Sequence, residues 1–148
     1  MRTRVLLVEP DPADAAILRH SLAMAADVDA YFDFSTARSH LLAHGYQLLV
    51  TNLRLRAYNG LHLVYLAQVS SSLTRSVVYT NSRESALARE VQHAGAFYEC
   101  RSRLPYTLRG YIDATLPPRD RRDPEIADRR QAFRGGRRRS DLPSLVVS

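Results

Sequence analysis

Along the first 116 residues, short apolar runs alternate with longer segments whose apolar residues recur every three or four positions. That alternation constrains the fold more than any other feature of the chain. A short, continuously apolar run suits a strand buried on both faces, and a helical-period run suits a helix covering one of them. The strands read as RVLLVE (4–9), DAYFDF (29–34), YQLLVT (46–51), RSVVYT (75–80) and FYEC (97–100). Between and after them lie helical segments. In the first, Ala15, Leu18, Leu22 and Ala25 share a face; in the second, Ser35 reads as N-cap and Gly45 as terminator. NGLHLVYLAQVSSS is the third. The fourth opens on Asn81 and Glu84 at capping-box spacing, presents Leu87, Val91 and Ala94, and stops at Gly95. The last presents Leu108, Tyr111, Ile112 and Thr115. Five strands alternating with five helices predict an α/β protein: a doubly wound, five-stranded parallel sheet with helices on both faces.

In such sheets a site lies at the carboxyl ends of the strands, where strand order reverses. The residues there are Glu9, Pro10 and Asp11, then Asn52, Thr80 and Asn81, and finally Cys100, Arg101 and Ser102. No glycine-rich phosphate loop follows the first strand, which excludes a dinucleotide fold or a P-loop. The five histidines are dispersed over four helical segments without ligand spacing, and no Ser/His/Asp or Cys/His arrangement suggests catalysis. Neither a cofactor nor a metal is expected. Cys100 reads as a small core residue whose thiol an adjacent Arg101 would acidify.

Those strand tips, taken in order, resemble the receiver domain of bacterial two-component response regulators over roughly residues 3–116. VLLVEPDP resembles the first strand and its acidic pair, and YQLLVTNLRLRAYNG the third strand, its phosphoacceptor Asp and a Gly eight residues on. SVVYTNS resembles the strand bearing the switch hydroxyl, and HAGAFYECRSR the turn before the Lys-Pro strand. The resemblance implies a flavodoxin-like receiver fold and also marks departures from the family's pocket. Asn52 stands at the acceptor position, and an amide is no nucleophile. Glu9 remains of the acidic pair, but Pro10 replaces its second member, and Asp11 falls where it would cap the first helix. Thr80 matches the switch hydroxyl. The chain has no Lys at all, so Arg101 or Ser102 takes that place, and Arg56 replaces the usual Pro. With two of three carboxylates gone, a hard divalent cation lacks its ligands. The reading is a degenerate, non-phosphorylatable pocket in which Asn52 bonds Thr80 or Arg101.

The expected organisation is a receiver-like domain over 1–118 and an Arg-rich tail over 119–148. The domain carries 12 Arg and 10 acids, and the tail 9 Arg and 5 acids. On the family's partner-binding face, Tyr98, Tyr106 and Tyr111 are candidate anchors. Leu142, Leu145, Val146 and Val147 make the tail's end a candidate dimerising arm. The expected function is single-domain signalling through protein contacts, as a homodimer or with a histidine kinase or other signalling protein. The alternative is a nucleic-acid-associated regulator using the tail, since Arg clusters neutralise phosphates. A four-residue apolar stretch near the N-terminus is no signal peptide, no run is long enough to span a membrane, and a single cysteine fits a reducing, cytoplasmic setting.

Overall fold

A computed structural model describes residues 2–71 and 73–114. Within them the elements run β1 (Thr3–Val8), α1 (Pro12–Ala23), β2 (Ala26–Tyr31), α2 (Phe34–Ala43), β3 (Leu48–Asn52), β4 (Arg54–Leu55), β5 (Tyr58–Asn59), α3 (Leu61–Ser70), β6 (Arg75–Thr80), α4 (Ser85–His93), β7 (Phe97–Cys100) and α5 (Leu104–Asp113). Five strands form one parallel sheet in the order β2-β1-β3-β6-β7. The order reverses at β1, so successive helices divide between the two faces. This is the expected flavodoxin-like receiver fold.

Alternation along each strand builds the two cores. Val5 and Leu7 of β1, with Val50, Val77 and Tyr79, meet Leu18 and Leu22 of α1 and Leu104, Leu108 and Ile112 of α5. Leu6 and Val8, with Leu49 and Val78, meet Ala37 and Leu41 of α2, Leu63, Val64 and Ala67 of α3, and Val91 of α4. Residues 5–8 are wholly buried, which is why β1 reads as an unbroken apolar run.

The structure departs from the sequence reading at several boundaries. The second strand runs Ala26–Tyr31 instead of 29–34, in register with all six residues of β1. It is the sheet edge and only half-buried, so its apolar signal is diluted by Asp27 and Asp29. The N-cap of α2 is Asp33, not Ser35: its Oδ1 accepts the Thr36 amide at 2.8 Å and its Oδ2 the Thr36 hydroxyl at 3.1 Å. Those bonds hold the Asp33 carboxyl below the usual range. Asn81 and Glu84 form no capping box, since Glu84 is itself the residue before α4 and caps nothing with its side chain. Gly95 does end that helix, at φ 90. Asp11 caps α1 as expected, accepting the Ala13 amide.

A small antiparallel hairpin, β4 with β5, was not anticipated. It pairs Arg54 with Asn59 and Leu55 with Tyr58 around a two-residue turn, and Arg56 in that turn has φ 58. Proline, locked near −65°, cannot occupy that position, so the turn departs from the Pro that the receiver resemblance would place there. Gly60 closes the loop for a steric reason: a Cβ there would lie 2.4 Å from the Asn52 carbonyl oxygen.

Candidate functional site

The carboxyl ends of β1, β3 and β6 bring Glu9, Asn52 and Thr80 around one open cavity of about 220 Å³, with Pro10, Asp11, Arg54 and Glu84 at its rim. Glu9 is 3% exposed and Asn52 8% exposed. Asn52 Nδ2 donates to Glu9 Oε1 at 3.0 Å, and the Tyr79 hydroxyl donates to the same oxygen at 2.6 Å. The Asp11 amide donates to Glu9 Oε2 at 2.9 Å. The other end of the Asn52 amide is also occupied, its Oδ1 accepting the Arg54 amide at 3.0 Å. A flipped amide would set oxygen against carboxylate oxygen and NH₂ against N–H, so the network fixes its orientation. Asn52 is therefore bonded to Glu9 and to the start of the hairpin, and not to Thr80 or Arg101.

Three neutral donors thus satisfy a buried carboxylate, which would otherwise be strongly penalised. Tyr79 responds in turn: burial first, then the Glu9 charge, push its phenol far above the usual range, so it stays a donor. Tyr79 was not singled out by the sequence. The available signal was a tyrosine inside a wholly buried strand, because a buried phenol needs a partner.

Thr80 turns away from this network. Its hydroxyl lies 2.7 Å from the Ser82 carbonyl, to which it donates, and 2.5 Å from the Tyr98 hydroxyl, which also reaches that carbonyl at 3.4 Å. The Tyr98 oxygen also accepts the Glu84 amide at 3.1 Å. Arg101 continues the strand's pairing through its amide to the Thr80 carbonyl, but its guanidinium pairs with Asp14 of α1 at 2.9 Å. Ser102 lies in the following turn. It contacts Cys100 Sγ at 3.6 Å, and its hydroxyl and amide hold the thiol below the ordinary value. Ser102, not Arg101, is the cause, and Cys100 is half-exposed instead of a core residue.

A divalent cation, which the fold family implies, does not fit these donors. Both Glu9 oxygens already accept hydrogen bonds, Pro10 offers no side-chain ligand, and Asp11 uses Oδ1 to cap α1. Arg54 brings its own charge to the rim, 3.8 Å from Glu84. Among the described residues no cluster of three His, Cys, Asp or Glu could hold a metal.

The candidate anchors on the β7–α5 side separate. Tyr98 is turned inward by its bond to Thr80 and is no exposed anchor. Tyr106 is 86% exposed. Tyr111 is half-buried, its hydroxyl bonded to Glu99 Oε2 at 3.0 Å and, through burial and that bond, pushed up to about 12. Phe97 takes the outward position beside Tyr111, with ring centroids 5.3 Å apart. Leu142, Leu145, Val146 and Val147 lie outside the described residues, as does Thr115. Among the described residues, no helix is long and apolar enough to cross a membrane.

With the site in view, the class it defines by fold is the receiver fold. No protein-family model matches the sequence, and no curated protein matches it either. Solved structures do. The chemotaxis response regulator CheY4 of Vibrio cholerae is similar at TM-score 0.69 and 16% identity, over 78% of this chain and 100% of that one. The response regulator DrrB of Thermotoga maritima aligns at TM-score 0.69 and 15% identity over 76% of this chain, which spans 52% of DrrB. A Burkholderia pseudomallei response regulator, solved with a phosphorylated aspartic acid, a calcium ion and citrate, aligns at TM-score 0.69 and 18% identity, over 76% of this chain and 67% of that one.

Proposed function

We propose that this chain is a receiver-fold signalling protein that works by binding other proteins and neither accepts a phosphoryl group nor acts as an enzyme. The observation that carries the reading is the Glu9–Asn52–Tyr79 network. Phosphoryl transfer to a carboxylate needs a free nucleophile, a cation to neutralise charge and donors aimed at the incoming oxygens. Here the acceptor position is an amide held at both ends, and the Glu9 carboxylate already accepts three donors. Thr80 and Arg101 are committed to Ser82 and Asp14. The pocket's polar groups hold one another, which suits a chain kept in a single conformation.

The partners on this reading are a histidine kinase, another signalling protein or a second copy of the chain, in the cytoplasm. Tyr106, 86% exposed, and the separate Phe97–Tyr111 ring pair offer aromatic contacts on the β7–α5 side. The second reading, a nucleic-acid regulator, rests on the nine Arg of residues 119–148.

Incubation with acetyl phosphate and Mg²⁺, followed by intact mass measurement, tests the first reading. The expected mass is unchanged. A stoichiometric, Mg²⁺-dependent phosphoryl adduct refutes it. Retention on DNA that falls steeply with salt, and disappears when residues 119–148 are removed, would favour the second.

A further inference from the structure

The chain contains three asparagines, and of these only Asn59 is followed by glycine. That pair carries its own chemistry. The backbone nitrogen after an asparagine can attack the side-chain carbonyl carbon. An N–C bond forms, the C–NH₂ bond breaks and ammonia leaves, closing a succinimide ring. Water then opens the ring at either carbonyl, to aspartate or to isoaspartate, so the net change is oxygen for NH. Glycine favours the reaction because no side chain shields its nitrogen. Here the glycine is not exchangeable, since a Cβ at position 60 would lie 2.4 Å from the Asn52 carbonyl oxygen. The reactive pair is therefore built into the loop that closes beside the pocket.

Both partners of the reaction are engaged in the folded chain. The Gly60 N–H donates to the Leu53 carbonyl at 2.7 Å, so its nitrogen is not free to attack. The Asn59 side chain is tied by its oxygen, which accepts the Leu61 amide at 2.8 Å. Gly60 is buried, at φ −58 and ψ −22, where it opens α3. Asn59 is paired with Arg54 across the hairpin. Swinging the Gly60 nitrogen onto the Asn59 side chain breaks these contacts together. Yet the hairpin that holds them has two residues in each strand and a turn at Arg56 with φ 58. Short pairings of that kind open locally, at a fraction of the cost of global unfolding.

We propose that Asn59 is a self-modification site, gated by opening of the β4–β5 hairpin, with water as its only co-reactant. The aspartate product keeps an acceptor for the Leu61 amide and puts negative charge at the start of α3, where the helix dipole favours it. The isoaspartate product lengthens the main chain at residue 59 by one carbon. That shifts Gly60 from Leu53 and from the Asn52 carbonyl, so the change reaches the pocket. The inference does not rest on the protein-binding reading, and a phosphoryl adduct would leave it standing.

Incubation of the full chain in mildly alkaline buffer, followed by peptide mapping with mass spectrometry and chromatographic separation of isoaspartate, is the test. Unfolded in guanidinium chloride, the chain converts Asn59 at least about tenfold faster than when folded. Asn52 and Asn81, whose following residues carry side chains, lag behind it in the same digest. Two substitutions at Arg56 leave the Asn59–Gly60 pair itself untouched and move the folded rate in opposite directions. Arg56→Pro, whose ring does not fit the turn, raises it about tenfold or more. Arg56→Gly, which relieves the turn without unfolding it, lowers it severalfold. Asn59→Gln, whose longer side chain cannot close the same ring, removes the mass gain from that peptide. Equal rates in folded and unfolded chain overturn the proposal. So does a folded rate that Arg56→Gly leaves unchanged, or an Asn59 that stays intact in denaturant.

Discussion

Asn52→Asp restores the side chain that the receiver resemblance leads one to expect, and the structure says it will be harmful. Asn52 Nδ2 lies 3.0 Å from Glu9 Oε1, and both residues are buried. The substitution turns that donor into an oxygen. A hydrogen bond to a charged group, worth about 1.5–3 kcal/mol, is lost. In its place two carboxylates face each other, and two unit charges at about 4 Å repel by about 4 kcal/mol at an effective dielectric of 20. The pair escapes part of that cost by retaining a shared proton, so one titration of the pair rises above the usual carboxylate range. The folded titration then exceeds the unfolded value near 4. The relative loss of stability is therefore small below about pH 4, where the shared proton restores a donor, and grows as pH rises through the folded titration. Asn52→Asp should be about 2–4 kcal/mol less stable than wild type near pH 7.5, and within about 1 kcal/mol of it near pH 4. Asn52→Ala removes the same hydrogen bond without adding charge, so near pH 7.5 its loss should be smaller than that of Asn52→Asp. Urea unfolding followed by far-ultraviolet circular dichroism at both pH values measures this, the chain having no Trp. A variant as stable as wild type near neutral pH, or an equal loss at both pH values, refutes the argument.

Other expectations come from the backbone and the caps. Arg56→Gly should raise stability by about 0.5–1 kcal/mol, because φ 58 disfavours any residue with a Cβ; Arg56→Pro, toward the family pattern, should cost about 3 kcal/mol or more. Chemical denaturation compares the two. Gly60→Ala forces a methyl to 2.4 Å from the Asn52 carbonyl and should cost about 1–3 kcal/mol, read in the same way. Asp33→Ala should cost about 1 kcal/mol near neutral pH. The Asp33 carboxyl titrates below its unfolded value, so the cap's contribution is present above about pH 4 and is lost as pH falls through the lowered folded value. Thermal melts of wild type and variant should therefore converge in acid.

How legible the fold was depended on where each strand sits. β1, β3 and β6 are central and covered on both faces, so their apolar runs mark them directly. β2 is an edge, half-wet along most of its length, and its true span carries two aspartates that the hydropathy pattern reads as loop. The hairpin at 54–59 was hidden for another reason: its strands are two residues long, shorter than any periodicity can reveal, and its turn uses an Arg where sequence rules look for Gly or Asn. At the helix starts, Ser35 and Asp33 are both good caps. The choice fell to the backbone, which is extended at Asp33 and already helical at Ser35.

The site divides along the same physical line. That Glu9, Asn52, Thr80 and Arg101 gather at one end of the sheet follows from strand order alone, and the sequence suffices for it. Which of them bond does not follow, because hydrogen bonding is decided over tenths of an ångström. Asn52 and Thr80 end neighbouring parallel strands, yet Asn52 turns to Glu9 and Thr80 to Ser82 and Tyr98. The deciding residue is Tyr79. Its side chain leaves the sheet on the side opposite Thr80, and only its length carries the hydroxyl to Glu9. That contact helps make a buried carboxylate tolerable at Glu9, beside Pro10 and Asn52. Removing it, as in Tyr79→Phe, would leave Glu9 with two donors instead of three, at a cost of about 1–3 kcal/mol. A pocket whose remaining charge depends on a tyrosine from the strand core holds its polar groups for itself.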